Sequence, residues 1–267
     1  MASKKKDINP VVQEVVDRFD TIYTMTKSFV ANKQSAIRGL LISGDAGTGK
    51  THAVQRAFID TKTIHRVRII KAGNITAAGL YAELYFNRHK GSVMVLDDCD
   101  LIHKAAKEKN TILDMLKGAT ELTKGGRTIS WATASPNSLM REHNIPNSFD
   151  FQGSVIWITN DKIDTIAKKA AAHWNAISSR FTEITVYLND QEKLLYTLHL
   201  IEEGQMLGKN CNAKDGGYPL QIQADAVRYI TDNYKKLKEI TPRIAIKIAD
   251  IRFNHPKTWK TLLNNQR

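Results

Sequence analysis

Cysteine is nearly missing from this 267-residue chain. Only Cys99 and Cys211 occur, which excludes a disulfide framework and a zinc site built from cysteines. Long apolar runs are missing too: none approaches the roughly 20 residues of a membrane span. The basic start MASKKKD leads into no apolar signal-peptide segment. These absences predict a soluble, cytoplasmic protein. There is no internal repeat, and the only low-complexity tract is the Lys4–Lys6 run. Acids are scarce: 27 Asp and Glu face 39 Lys and Arg, a net charge of +12. Such an excess points to a polyanionic partner, with nucleic acid favoured over a membrane surface; a basic protein that is merely soluble is the plainer alternative. The 42% hydrophobic content suffices for a core, and the length fits one large domain or a domain with a small lid.

What the chain does have is concentrated at residues 40–52, LLISGDAGTGKTH. Gly44-Asp45-Ala46-Gly47-Thr48-Gly49-Lys50-Thr51 fits the P-loop pattern without a mismatch. The glycines let the backbone turn so that successive N–H groups face phosphates. Lys50 is placed to reach the β- and γ-phosphates and Thr51 to ligate Mg²⁺. IRGLLIS (37–43) reads as a buried strand and THAVQRAFID (51–60) as a helix, the context that the motif requires. An ordinary glycine turn is the plain alternative. The expectation is a chain that binds a nucleoside triphosphate.

Along the chain, 11–30 has helical apolar spacing. Strands are predicted at 65–73, 91–100, 127–135, 154–160 and 184–188, and helices at 76–89 and 101–124. Residues 136–153, with two prolines, read as an irregular excursion. Alternating strands and helices argue for an α/β fold on a parallel sheet. Beyond Asn189 the chain reads as helices at 190–205, 221–238, 241–253 and 256–265, the first two separated by a loop rich in Gly, Asn and Lys. The division predicted is 1–36, a helical segment; 37–188, an α/β core; and 189–267, an all-helical lid.

The strand ends carry the chemistry. VMVLDDCD puts Asp97 and Asp98 where open α/β sheets place their ligands. Asp97 is the candidate for holding Mg²⁺ through water, Asp98 for orienting or deprotonating the attacking water. Helix N-capping is the structural alternative for Asp98 and Asp100. Asn160, at the tip of VIWITN, suits a γ-phosphate sensor, although Thr-Asn-Asp is also turn chemistry. Arg180, in AISSRF, suits transition-state charge delivered from a neighbouring subunit; a surface arginine is the alternative. In ITPRIAIKIADI, Thr241 and Pro242 start a helix and leave Arg243 in its first turn. A cation there opposes the helix dipole, which suggests an anion nearby.

These pieces in this order resemble the AAA+ ATPase family over roughly residues 35 to 255. GDAGTGKT is similar to Walker A, VMVLDD to Walker B, Asn160 to sensor 1, Arg180 to the arginine finger and Arg243 to sensor 2. One departure stands out: the family usually has Glu where this chain has Asp98, one methylene shorter. The resemblance implies a P-loop NTPase sheet core with a C-terminal all-helical lid, ATP and Mg²⁺ as cofactors, and a ring homo-oligomer, usually a hexamer, with Arg180 acting in trans. The compact layout also resembles small phage-encoded AAA+ proteins, for which the compartment is the host cytoplasm.

The substrate is less constrained. KAGNIT (71–76) falls where the family carries a pore-facing loop; it holds Lys71 and Asn74 and no aromatic, which suits a phosphate backbone. RTISWATAS and SFDFQG are expected to pair as an inserted hairpin that resembles the pre-sensor-1 hairpin, with Lys124, Arg127 and Arg141 making its surroundings basic. A plain connecting loop with solvated charges is the alternative. Trp131 reads as core rather than as a stacking platform. The leading expectation is a DNA-directed motor or remodeller of replication, recombination or packaging type. A protein-remodelling chaperone and an ATP-switched loader stand as alternatives.

Overall fold

A computed structural model describes residues 8–31, 36–71, 73–123, 127–131 and 138–264. The chain divides into two compact units. One comprises 19–44 and 50–186, the other 1–18, 45–49 and 187–267. A 22-residue helix, α1 (Pro10–Ala31), begins in the second and runs into the first.

In the first unit the elements follow in order: β1 (Gly39–Gly44), α2 (Lys50–Asp60), β2 (Val67–Lys71), α3 (Ala77–Phe86), β3 (Val93–Asp97) and α4 (Ala106–Ala119). Then come β4 (Thr128–Ser130), α5 (Ser138–Glu142), β5 (Ser148–Asp150), β6 (Ser154–Thr159), α6 (Ile163–Lys169), α7 (Ala171–Ser178) and β7 (Phe181–Val186). Five strands form one sheet in the order β2-β3-β6-β1-β7, and every pairing is parallel. The three inner strands are buried at every position, as expected when helices cover both faces; at the edges, β7 mixes buried and exposed residues and β2 holds only half-buried and exposed ones. Leu41, Leu96, Trp157, Tyr81 and Phe151 pack in one continuous core with the inner faces of α3 and α4. The Tyr81 hydroxyl donates to Pro146 O at 2.8 Å, and burial pushes its pKa up to about 12.

Pairing between the segments around 128 and 150 is present, as two antiparallel three-residue strands in the register Thr128↔Asp150. The strand is shorter than the expected 127–135, and its stretch 132–135 lies outside the described residues. The excursion 136–153 supplies its partner strand and α5. Two helices, α6 and α7, occupy a stretch for which the sequence pattern suggested no element.

Residues 101–105 correct an expectation. They are not the first turns of a helix: α4 starts at Ala106, and its N-cap position is Ala105, which makes no side-chain cap. Asp100 instead accepts the N–H of His103 at 2.9 Å, closing a local turn, while Leu101 and Ile102 are driven into the core.

The second unit is helical: α8 (Asp190–Glu202), α9 (Leu220–Asn233), α10 (Pro242–Asn254) and α11 (Trp259–Asn264). Asn189 and Glu192 form a capping box that starts α8. Thr241 caps α10, its side chain accepting the N–H of Ile244 at 3.3 Å, with Pro242 at the first position. Ile222, Ala226, Ile230, Ala245 and Ile248 make its core. Between α8 and α9 the loop closes on itself: the Tyr218 N–H donates to Leu207 O at 2.7 Å. A Cβ at Gly217 (φ +73°) would lie 2.1 Å from Gly208 O, so glycine is required there. Among the described residues no helix is long and apolar enough to cross a membrane.

The two cysteines differ in a measurable way. Cys99 is 5% exposed, and burial, together with the nearby Asp97 charge, pushes its thiol up to about 11; Cys211 is partly exposed. At pH 8 the native protein is expected to show one thiol that reacts quickly with a disulfide reagent, the second reacting only in denaturant. Replacing Cys211 with Ser should remove the fast phase.

Candidate functional site

At the sheet's C-terminal end, parallel pairing brings three strand tips together. Ser43 lies level with Thr159 and Asp97 with Ile158, so the residues just beyond β1, β3 and β6 are neighbours. Gly44 ends β1 against β7: a Cβ there would lie 2.1 Å from Val186 O. The first residue of α2, Lys50, is 5% exposed, and its ammonium donates to Gly44 O at 2.8 Å and to Asn160 Oδ1 at 2.9 Å. The Asn160 amide in turn donates to Asp98 Oδ1 at 2.9 Å. Beside this chain of polar contacts, the Thr51 hydroxyl donates to Asp97 Oδ1 at 2.8 Å.

Asp98 does not cap a helix. It sits in the left-handed region at φ 55°, where aspartate is better tolerated than most residues, and its N–H donates to Ile158 O at 3.0 Å. That backbone turn leaves Asp97 buried and Asp98 exposed, so two adjacent carboxylates have separate surroundings. Asn160 is more than a turn former, because its side chain bridges the Lys50 amine and the Asp98 carboxylate.

The rest of the glycine-rich loop, residues 45–49, groups with the helical unit. Gly47 and Gly49 have φ of 72° and 112°, the backbone freedom that the motif demands. Asp45 accepts the Leu188 N–H at 3.0 Å and pairs with Lys193 at 3.1 Å. The Thr48 hydroxyl donates to Asp45 O at 2.9 Å; Ala46 follows in the turn. Thr241 stands against Gly47, 3.4 Å from where a Cβ would be, so the start of α10 borders the loop. Arg243 is exposed two residues further on.

The donor set fits a nucleotide with Mg²⁺. Among the described residues no group of three or more His, Cys, Asp or Glu is gathered for a metal. One hydroxyl and one carboxylate, Thr51 and Asp97, match a cation that keeps several waters and takes its other ligands from phosphates.

Other candidates fall elsewhere. Arg180 is paired within its own unit: its Nε donates to Glu121 Oε2 at 3.0 Å and its Nη1 to Ala176 O at 2.8 Å. The same contact holds the Glu121 carboxyl below its usual range. Lys71 and Arg141 are exposed, at the end of β2 and in α5. Asn74 accepts a hydrogen bond from Lys104. Arg127 is only half-buried surface: its Nη1 turns to Gly153 O at 3.4 Å. Lys124 lies outside the described residues. Trp131 packs on Tyr81, ring centroids 5.5 Å apart.

Sequence reasoning did not single out Glu121, whose partner is 59 positions away. Nor did it single out Arg38, whose only signal was a cation at the head of an apolar strand. His103 and Asp161, which meet at 3.0 Å beside the Asn160 tip, were equally unmarked.

No protein-family model matches the chain. It is 27% identical, over 270 residues, to an uncharacterized 36.7 kDa protein of the nrdC-mobD intergenic region of Enterobacteria phage T4, covering 97% of this chain and 76% of that one. Among solved structures it is similar to NtrX from Brucella abortus in complex with ATP (11% identity, TM-score 0.46). It is also similar to the RuvB Holliday junction branch migration motor of Thermotoga maritima (14% identity, TM-score 0.45). It covers 61% and 62% of those two chains, which cover 95% and 92% of it. By its own strand order and element sequence, the chain has the expected fold class, an α/β protein with a glycine-rich loop between β1 and α2, a five-stranded parallel sheet and a C-terminal helical region.

Proposed function

We propose that this protein is an AAA+ ATPase that couples ATP hydrolysis to remodelling or translocation of nucleic acid, DNA in the first place, as a ring of its own copies. The observation that supports the ATPase reading best is the chain Lys50–Asn160–Asp98 beside the Thr51–Asp97 pair. It gathers a cation, an amide and two carboxylates where open α/β sheets bind ligands.

On this reading, residues 44–51 bind the phosphates through backbone N–H groups, and the Lys50 ammonium takes the β- and γ-phosphate oxygens. Thr51 and Asp97 would hold Mg²⁺, which neutralises charge on those oxygens when bound. Asn160 orients a water for attack on the γ-phosphorus, and Asp98 accepts its proton as the bond to the ADP oxygen breaks. Arg180 leaves Glu121 to meet the phosphates on a neighbouring copy. Arg243 couples the site to residues 189–267, acting as a lid on the 37–188 core. The +12 charge supports a polyanionic substrate, with Lys71, Asn74, Lys124, Arg127 and Arg141 as contacts.

Phosphate release assays separate the parts. Lys50→Ala is expected to lose nucleotide binding and turnover together. Asp98→Asn should keep binding and lower kcat by about 10²–10⁴-fold, the usual worth of a general base. Asparagine tolerates the left-handed backbone, so this change isolates the charge. Turnover should rise with single-stranded or duplex DNA and lose that rise between roughly 50 and 200 mM salt. Turnover indifferent to DNA and RNA at low salt would overturn the nucleic-acid reading and favour a protein partner.

A further inference from the structure

At the opposite end of the sheet, the strands begin among arginines. Arg38 directly precedes β1 and Arg180 directly precedes β7, and the pairing Gly39↔Phe181 sets them level. On the other side of β1, the Arg38 carbonyl accepts the Val155 N–H at 2.8 Å, which fixes Arg38 beside the start of β6. Arg127 reaches this edge from just before β4. Its carbonyl accepts the Phe151 N–H at 2.8 Å and its Nη1 points at Gly153 O, immediately before β6.

Arg180 is neutralised by Glu121. Arg38 is 8% exposed and its Nε has no hydrogen-bond partner. Among the described residues, neither Arg38 nor Arg127 has an acidic partner. Burial lowers the Arg38 pKa, and Arg127 is lowered by burial and then by the Arg38 charge, so the two guanidinium groups lie in each other's field. Burying a charge is costly unless it is paired, and two like charges raise that cost. Guanidinium forks match phosphoryl oxygens in both charge and geometry.

We propose that Arg38 and Arg127 form a second anion site, distinct from the P-loop, which takes a phosphoryl group at the N-terminal edge of the sheet. A nucleotide or free phosphate and a nucleic-acid backbone share this chemistry, and they are told apart by experiment.

The test uses the full chain carrying Lys50→Ala, which silences the P-loop, in thermal unfolding at constant low ionic strength. Inorganic pyrophosphate or a short single-stranded oligodeoxynucleotide is expected to raise Tm by roughly 5 °C near saturation, relative to chloride. Adding Arg127→Gln should abolish the rise with pyrophosphate and lessen that with the oligonucleotide, which the other proposed contacts also hold, and Arg38→Met should do the same. With the repulsion removed, at least one of these variants should unfold no lower than its parent without anion. A rise with pyrophosphate assigns the site to nucleotide or free phosphate; a rise with the oligonucleotide alone assigns it to a nucleic-acid strand. No rise with either ligand overturns the proposal, as does a rise that both arginine variants retain in full. Both variants unfolding well below the parent would also overturn it, because the arginines would then be structural. Binding of a fluorescent ATP analogue by Arg127→Gln with Lys50 intact reads the P-loop separately, and its failure leaves this site standing.

Discussion

The pairing of β6 between β3 and β1 is the constraint on which the rest depends. It is parallel on both sides, so the three strand tips finish at one level, with Asp97 beside Ile158 and Ser43 beside Thr159. A slip of one residue would exchange the two faces of β6 and move Trp157, now 1% exposed, away from the cluster it shares with Leu41 and Leu96 to the opposite, equally buried face. Because that packing is so strongly apolar, the register is well defined, and so is the position of the first polar residue beyond the strand. Asn160 thereby stands between Lys50 and Asp98 with both hydrogen bonds at 2.9 Å.

The sheet is electrostatically polar from end to end. Carboxylates gather where the strands finish, at Asp97 and Asp98, and guanidinium groups where they start, at Arg38, Arg127 and Arg180. Among the described residues, just one of those guanidinium groups has an acidic partner, Arg180 with Glu121. The acidic end is locally satisfied through Thr51 and Asn160, whereas the basic end holds Arg38 with an unpartnered Nε under cover. Satisfied polar groups stabilise a fold; a buried unsatisfied one signals that stability has been exchanged for something else.

Backbone conformation adds a second layer of control. The left-handed turn at Asp98 separates two neighbouring carboxylates, burying the one that meets Thr51 and exposing the one that meets Asn160. In the helical unit, the glycines of the loop between α8 and α9 and the caps of α8 and α10 fix where helices start. The Thr241 cap is the point at which α10 meets Gly47.

Local chemistry by itself determined the P-loop, the buried inner strands, the Thr241–Pro242 helix start and the α/β-then-helical order. Each is written in adjacent residues: glycine spacing, runs of β-branched side chains, a cap followed by proline. It misplaced the start of α4, because a local Asx contact at Asp100 outcompeted helix propensity, and left α6 and α7 unread. Only the tertiary structure decided that Asn160 contacts both Lys50 and Asp98, that Arg180 meets Glu121, and that Arg38 and Arg127 share an edge. Those partners lie between 59 and 110 positions apart for the hydrogen-bonded pairs. No local pattern encodes such pairs, since it is strand order and register, set by burial of the whole sheet, that bring them together.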